Sequence, residues 1–168
     1  MLNTLRDLYI EQLRDLYSAE TQLIEALPKM EAAASNQDLK TAFREHLEET
    51  RNQADRLLKI FSKLNLRPEG HTCEAMKGLI REGEESIREL GNPEVKDAAL
   101  IAAANRVEHY EIAGYGSTKT FAKILEEKEA VDLLEKTESE ESAADEKLTK
   151  LAEGGMFSKG INQSASTK

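Results

Sequence analysis

PEVKDAALIAAANRVEHYEIAGYGSTKTFAKILEEKEAVDLLEKTESEESAADEKLTKLA, residues 93–152, decides the fold of this chain. As one helix it would extend about 90 Å at 1.5 Å per residue, far beyond a compact domain of this size. No Gly-Pro punctuation divides it, so the apolar seam must settle the matter. Val95, Ala98, Ile101, Tyr115, Ala122 and Leu125 share one helical face. Continued, that face would carry Glu129, Asp132 and Lys136; instead the apolar positions reappear shifted, at Val131, Leu134, Leu148 and Leu151. The shift predicts two helices with a turn near Glu126 to Glu129.

Upstream, Gly91-Asn92-Pro93 ends one helix and opens the next, with Asn92 as cap and Pro93 in the first helical position. Thr4 and Asp7 form a capping pair ahead of Leu5, Leu8, Tyr9, Leu13, Leu16, Leu23, Leu27 and Met30. Pro28 should kink that first helix rather than stop it, since the pattern runs on to Ala34. Ser35 and Asp38 repeat the capping logic for a second helix through Leu39, Phe43, Leu57 and Ile60 to about Leu64. The joint is short, so these two helices pack antiparallel. Residues 65–70 read as a loop, and a weaker helix follows with Met76, Leu79, Ile80, Ile87 and Leu90. Two antiparallel pairs joined by a long crossover that contains an additional short helix make an all-α, ferritin-like four-helix bundle. The bundle is expected over residues 1–153. Gly154-Gly155 ends the last long helix, and the Ser/Gly/Lys-rich tail, 154–168, is expected to be disordered.

Composition agrees with helices. Of 168 residues 33% are charged and 5% aromatic, with no Trp. Lys plus Arg number 23 and Asp plus Glu 32, giving a formal charge of −9. Such a surface repels phosphate backbones, so nucleic acid is not expected as a partner. No apolar run approaches a membrane span and no leader segment is read, so a soluble protein without a membrane partner is expected. Cys73 is the single cysteine, consistent with a reducing cytosol and with packing as a small apolar residue. His71, in a loop, is read as solvated.

In each long helix the seam is interrupted at mid-length by charge. Glu20 lies between Leu16 and Leu23; His46, Glu49 and Gln53 follow Phe43; Glu108 and Glu111 lie between Ala104 and Tyr115; Glu141 and Asp145 lie between Thr137 and Leu148. Spacings of three and four put each set on one side of its helix. From the first turn, Glu20 is about 15 residues down and Glu49 about 14; from the second, Glu111 is about 16 down, Glu108 about 19, Glu141 about 14 and Asp145 about 18. The four sets therefore meet near mid-bundle. Six carboxylates are gathered there, with no Lys or Arg in the seam to answer them. Each unpaired buried ion costs several kcal/mol, together more than the stability of a typical domain. Two divalent ions would neutralise four of the six charges and two trivalent ions all six. Hard oxygen donors with one imidazole suit Fe or Mn, with Zn as a further fit. The plainer reading is a solvated polar face, and Glu140 competes with Glu141 for the inward position. Tyr17 and Tyr115, each one turn from a seam carboxylate, are core residues or hydrogen-bond donors to it.

The runs DLYSAETQLIEALPKM, AFREHLEETRNQADRL and KDAALIAAANRVEHYEIAGYG, with the carboxylates from Glu140 to Asp145, resemble the YciE/YciF-type ferritin-like proteins of bacteria. The resemblance spans about residues 1–152. It implies a cytoplasmic, dimeric helical protein associated with stress responses and related to rubrerythrin. Glu20 matches the single Glu of helix one in that superfamily, and Glu108-x-x-Glu111 resembles the doubled carboxylates of rubrerythrin's third helix. Two departures stand out: His46-x-x-Glu49 reverses the usual Glu-x-x-His order, and helix four offers Glu141 and Asp145 without a His. This sequence has a single Cys and so none of the Cys-x-x-Cys pairs that a rubredoxin-like iron site needs. The function expected is a dinuclear, di-iron-type carboxylate protein reacting with peroxide or oxygen, fed by a separate reductant. Its metal set would be Glu20, His46, Glu49, Glu108, Glu111, Glu141 and Asp145. The alternatives are a non-catalytic helical dimer whose polar cluster fixes pairing or stores metal, and a manganese catalase-like enzyme.

Overall fold

The structure, a computed structural model, describes residues 2–155 and 158–166. Helix α1, Leu5–Ala33, starts at a capping box: Thr4 Oγ1 accepts from the Asp7 amide at 3.1 Å and Asp7 Oδ2 from the Thr4 amide at 2.9 Å. Pro28 lies inside it, as its apolar pattern predicts. Helix α2, Gln37–Leu64, is capped by Asn36 rather than Ser35: Asn36 Oδ1 accepts from the Asp38 and Leu39 amides. A crossover carrying α3, Glu74–Arg88, leads to α4, Pro93–Ile124, which Asn92 caps. Helix α3 stops before Leu90, which is 95% exposed and outside the core, and Val95 likewise faces solvent. The turn into α5, Lys128–Glu153, falls at residues 125–127, with Glu126 in the left-handed region (φ 60°).

This is the ferritin-like bundle with a long crossover. Helix α1 pairs with α2 and α4 with α5, while α1 also packs on α4 and α2 on α5. Asp97 marks one end: its carboxylate accepts from the Ser35 and Asn36 amides, both at 2.7 Å, tying the start of α4 to the α1–α2 turn. The Arg6–Glu127 pair, 2.8 Å, marks the other. Helix α3 runs along α1 and α4 and covers that side of the bundle.

The tail differs from expectation. Gly154–Gly155 (β1) and Ser158–Lys159 (β2) pair antiparallel, and α6, Ile161–Ala165, packs against α4 and α5 with Ile161 buried. Its polar composition suggested disorder, but Gly160 lets the backbone approach the end of α5 so closely that an added Cβ would overlap the Ala152 and Glu153 backbone. Met156, Phe157, Thr167 and Lys168 lie outside the described residues, as does Met1 of the bundle.

The apolar interior is divided in two. Toward the α1–α2 turn it contains Leu23, Leu27, Leu39, Phe43, Leu100 and Leu148; toward the α4–α5 turn, Leu13, Leu16, Leu57, Phe61, Ala122 and Leu134. Between the two lies a polar layer to which every long helix contributes.

Candidate metal centre

That layer is built from one position on α1, one on α2, two on α4 and one on α5. Glu20, Glu111 and Glu141 are fully buried, and Glu108 and His46 nearly so. One ligand-capable atom from each of His46, Glu108, Glu111 and Glu141 lies within 4.8 Å of the others. The imidazole Nε2 is 3.3 Å from Glu108 Oε1 and 3.8 Å from Glu141 Oε2. Its Nδ1 meets Glu49 Oε2 at 3.4 Å; with a proton on Nδ1 in that contact, Nε2 would be free to offer its lone pair to a cation. Glu20 adjoins this group and is held by the buried Tyr115 hydroxyl, which donates to its Oε1. Tyr17 instead sets its ring edge-on to Phe61.

The donors this layer needs are missing. Glu20 Oε2, Glu108 Oε2, both oxygens of Glu111, both of Glu141, and His46 Nε2 are buried without a hydrogen-bond partner among the described residues. Native interiors satisfy nearly all such atoms, so a cluster of them requires an account. Protons are one way to supply it. Burial pushes Glu20 up to about 8, against the Tyr115 hydrogen bond and His46, which pull it down. Burial, reinforced by neighbouring carboxylates, raises Glu111 and Glu141 well above the carboxylate range, and burial raises Glu108 against the pull of His46. A proton on Glu108 or Glu141 would be shared between them. Burial works to lower His46, but Glu108, Glu49 and Glu20 outweigh it and raise it. Cations are the other way. Carboxylate oxygens and one imidazole nitrogen, converging and unpaired, are a donor set that fits a first-row metal ion.

Two expected ligands stand apart. Glu49 is half-exposed, and its hydrogen bond to His46 lowers its pKa. Asp145 has partners of its own, Asn105 Nδ2 at 3.0 Å and His109 Nε2 at 3.5 Å, and lies between α4 and α5 beside the cluster. The competition on α5 resolves in favour of Glu141. Glu140 turns to Arg56, whose Nη2 donates to its Oε1 at 2.8 Å while Nη1 donates to Thr137. Arg56 is a buried cation in the seam, contrary to the expectation of none; it answers Glu140 and leaves the inward carboxylates unpaired. A second polar group lies under the crossover: the Cys73 thiol donates to Asp15 Oδ2 and contacts the Tyr110 hydroxyl at 2.9 Å, and His71 meets Asp15 at 2.9 Å. Cys73 packs in the apolar core, as expected, with its thiol turned to this polar group; burial raises its pKa, and His71 is paired.

A family model described as "Domain of unknown function (DUF892)" matches residues 4–165, and the chain belongs to that family. Protein YciF of Escherichia coli (strain K12) is 47% identical over 163 residues, 96% of this chain and 98% of that protein. The crystal structure of the E. coli stress protein YciF superposes with a TM-score of 0.89 at 45% identity, covering 99% of this chain and 100% of that one. YcfI from Rhodopseudomonas palustris gives 0.86 at 44% identity, covering 89% and 96%. The resemblance drawn from the sequence runs is thereby borne out. Among the described residues no helix is long and apolar enough to cross a membrane.

Proposed function

We propose that this DUF892 member is a dinuclear carboxylate protein, di-iron in its working form, that reacts with peroxide or oxygen. The observation that carries this is the set of seven buried, unpartnered donor atoms on Glu20, His46, Glu108, Glu111 and Glu141. Of the six carboxylates in the seam, Glu49 and Asp145 are accounted for at its edge, so four remain buried. Two divalent ions match that charge. Glu20, His46, Glu108, Glu111 and Glu141 would hold them, with Glu49 orienting the His46 ring and Tyr115 fixing Glu20. Bound iron would supply Lewis acidity and electrons to the oxidant. The packed leucine and phenylalanine layers on either side exclude bulk water and so strengthen every charge interaction in the layer.

The relative YciF of E. coli is a stress protein, and a role for this chain in oxidant stress agrees with the chemistry proposed. The reading further takes the protein to be a cytoplasmic homodimer drawing electrons from a separate reductant; the buried free thiol of Cys73 suits a reducing compartment. Manganese in place of iron would give a catalase-like disproportionation. The competing account, a metal-free layer held neutral by protons, draws on the same burial.

Metal analysis of protein purified without chelator separates them. About two Fe or Mn per chain, falling below one in Glu111→Ala, is expected from four neutralised carboxylates. No metal under saturating Fe(II) and Mn(II) would leave only the protonated layer. Peroxide consumption by the loaded protein then distinguishes an enzyme from a store.

A further inference from the structure

Helix α3 packs over α1 and α4, and a cavity reaches the polar layer between α2 and α5. It has a volume of about 100 Å³ and is lined by Phe43, Glu45, His46 and Glu49 of α2, by Ala143, Ala144 and Lys147 of α5, and at its floor by Glu108 of α4. Two features make it more than a gap between helices. Its inner wall holds His46 and Glu108, whose Nε2 and Oε2 are buried and unpartnered. Its outer wall is low where it matters: Ala143 and Ala144 stand where larger side chains would fill the space.

The rim is charged. Lys147 reaches from α5 across to Glu45 on α2 and forms an ion pair over the opening, both partners largely exposed. Exposed pairs of this kind contribute little to stability, so the bar opens readily. Glu49, half-exposed on the same rim, has its carboxylate both at the surface and against His46. One lysine against Glu45 and Glu49 leaves the rim with net negative charge, which raises the local concentration of cations and not of anions.

We propose, building on the dinuclear reading above, that the α2/α5 cleft is the port through which metal cations enter the site, and that its alanine wall limits the oxidant to molecules of hydrogen peroxide or dioxygen size. Glu49 receives the incoming cation, and the Lys147–Glu45 pair is the movable bar. The cavity has room for a few water-sized molecules and excludes a hydroperoxide carrying an aryl or long alkyl group.

Stopped-flow uptake of Co(II), followed by its visible absorption, tests the port without recourse to turnover. Ala144→Leu should fill the cleft and slow uptake about tenfold or more, with stoichiometry and equilibrium affinity unchanged. Lys147→Ala, an exposed change that leaves the fold intact, should speed uptake by about two- to tenfold, most at low salt. If the parent protein binds no Co(II), the dinuclear reading itself fails. If it binds Co(II) and both variants load at the parent rate, the site stands and the port is overturned. In the iron-loaded protein, hydrogen peroxide should be consumed at least about tenfold faster than cumene hydroperoxide; equal rates overturn the size limit.

Discussion

Asp97 and Glu111 lie on the same helix, about four turns apart, and are almost equally buried. Asp97 receives two backbone N–H groups at 2.7 Å from the α1–α2 turn and needs nothing more. Glu111 receives none: both of its oxygens are bare, and the groups around it are further carboxylates and an imidazole. Burial alone therefore does not mark a functional carboxylate. The missing donor does. Asp97 is a clamp that holds the two helix pairs in register, and Glu111, on the dinuclear reading proposed above, is a ligand that a cation would complete.

The largest expected effect that separates the two is on pH dependence. In the unfolded chain glutamates titrate near 4.5, whereas in the fold Glu20 keeps its proton to about 8 and Glu108, Glu111 and Glu141 are raised as well. Across that interval the folded state binds more protons than the unfolded chain, so stability falls as pH rises. His46, also raised, works in the same direction. Chelator-treated protein should lose about 1.4 kcal/mol per pH unit through Glu20 between about pH 5 and 8, with Glu108, Glu111 and Glu141 acting in the same direction, seen in urea midpoints, and saturating metal should abolish the loss. A flat profile in the metal-free protein would mean that the layer is wetter than its burial indicates.

Truncation should sharpen the contrast next. Asp97→Ala leaves the Ser35 and Asn36 amides without their carboxylate and removes two charged hydrogen bonds, a loss of about 3 kcal/mol whether metal is present or not. Glu111→Leu should leave metal-free protein at pH 7 as stable as the parent or more so, while eliminating stabilisation by metal, worth about 2.7 kcal/mol at a hundredfold excess over the dissociation constant. Paired melts with and without Co(II) read both. Equal destabilisation by the two substitutions would erase the distinction.

The smallest effect belongs to Tyr115→Phe. It removes the one donor that Glu20 has and should lower stability by about 1 kcal/mol, a shift of roughly 2–4 °C in Tm for a chain of this size. Metal stoichiometry should be unchanged, because the hydroxyl touches Glu20 and not the open face of the group.

Most of the architecture was legible because helix boundaries are written locally. Asn92-Pro93, the Thr4–Asp7 box and the seam shift near Glu126 each act within a turn or two of chain, and each holds in the structure. The site was legible to the level of the layer but not of the individual side chain. Residues three apart on a helix differ by about 60° around its axis, so His46 can face inward while Glu49 stands at the rim; periodicity cannot say which. The choice of Glu141 over Glu140 depends on Arg56, a residue on another helix whose length and charge suggest a solvent position. Similarly, the docking of α6 depends on Gly160 fitting against the end of α5, a contact between backbones that composition does not report.

Crystals grown with Mn(II) or Fe(II) and measured at the metal absorption edge would decide whether the polar layer is a metal centre. Two anomalous peaks a few ångströms apart, ringed by Glu20, His46, Glu108, Glu111 and Glu141, are predicted. A map that is empty there, with the carboxyl groups of Glu108 and Glu141 drawn together over a shared proton, would contradict it.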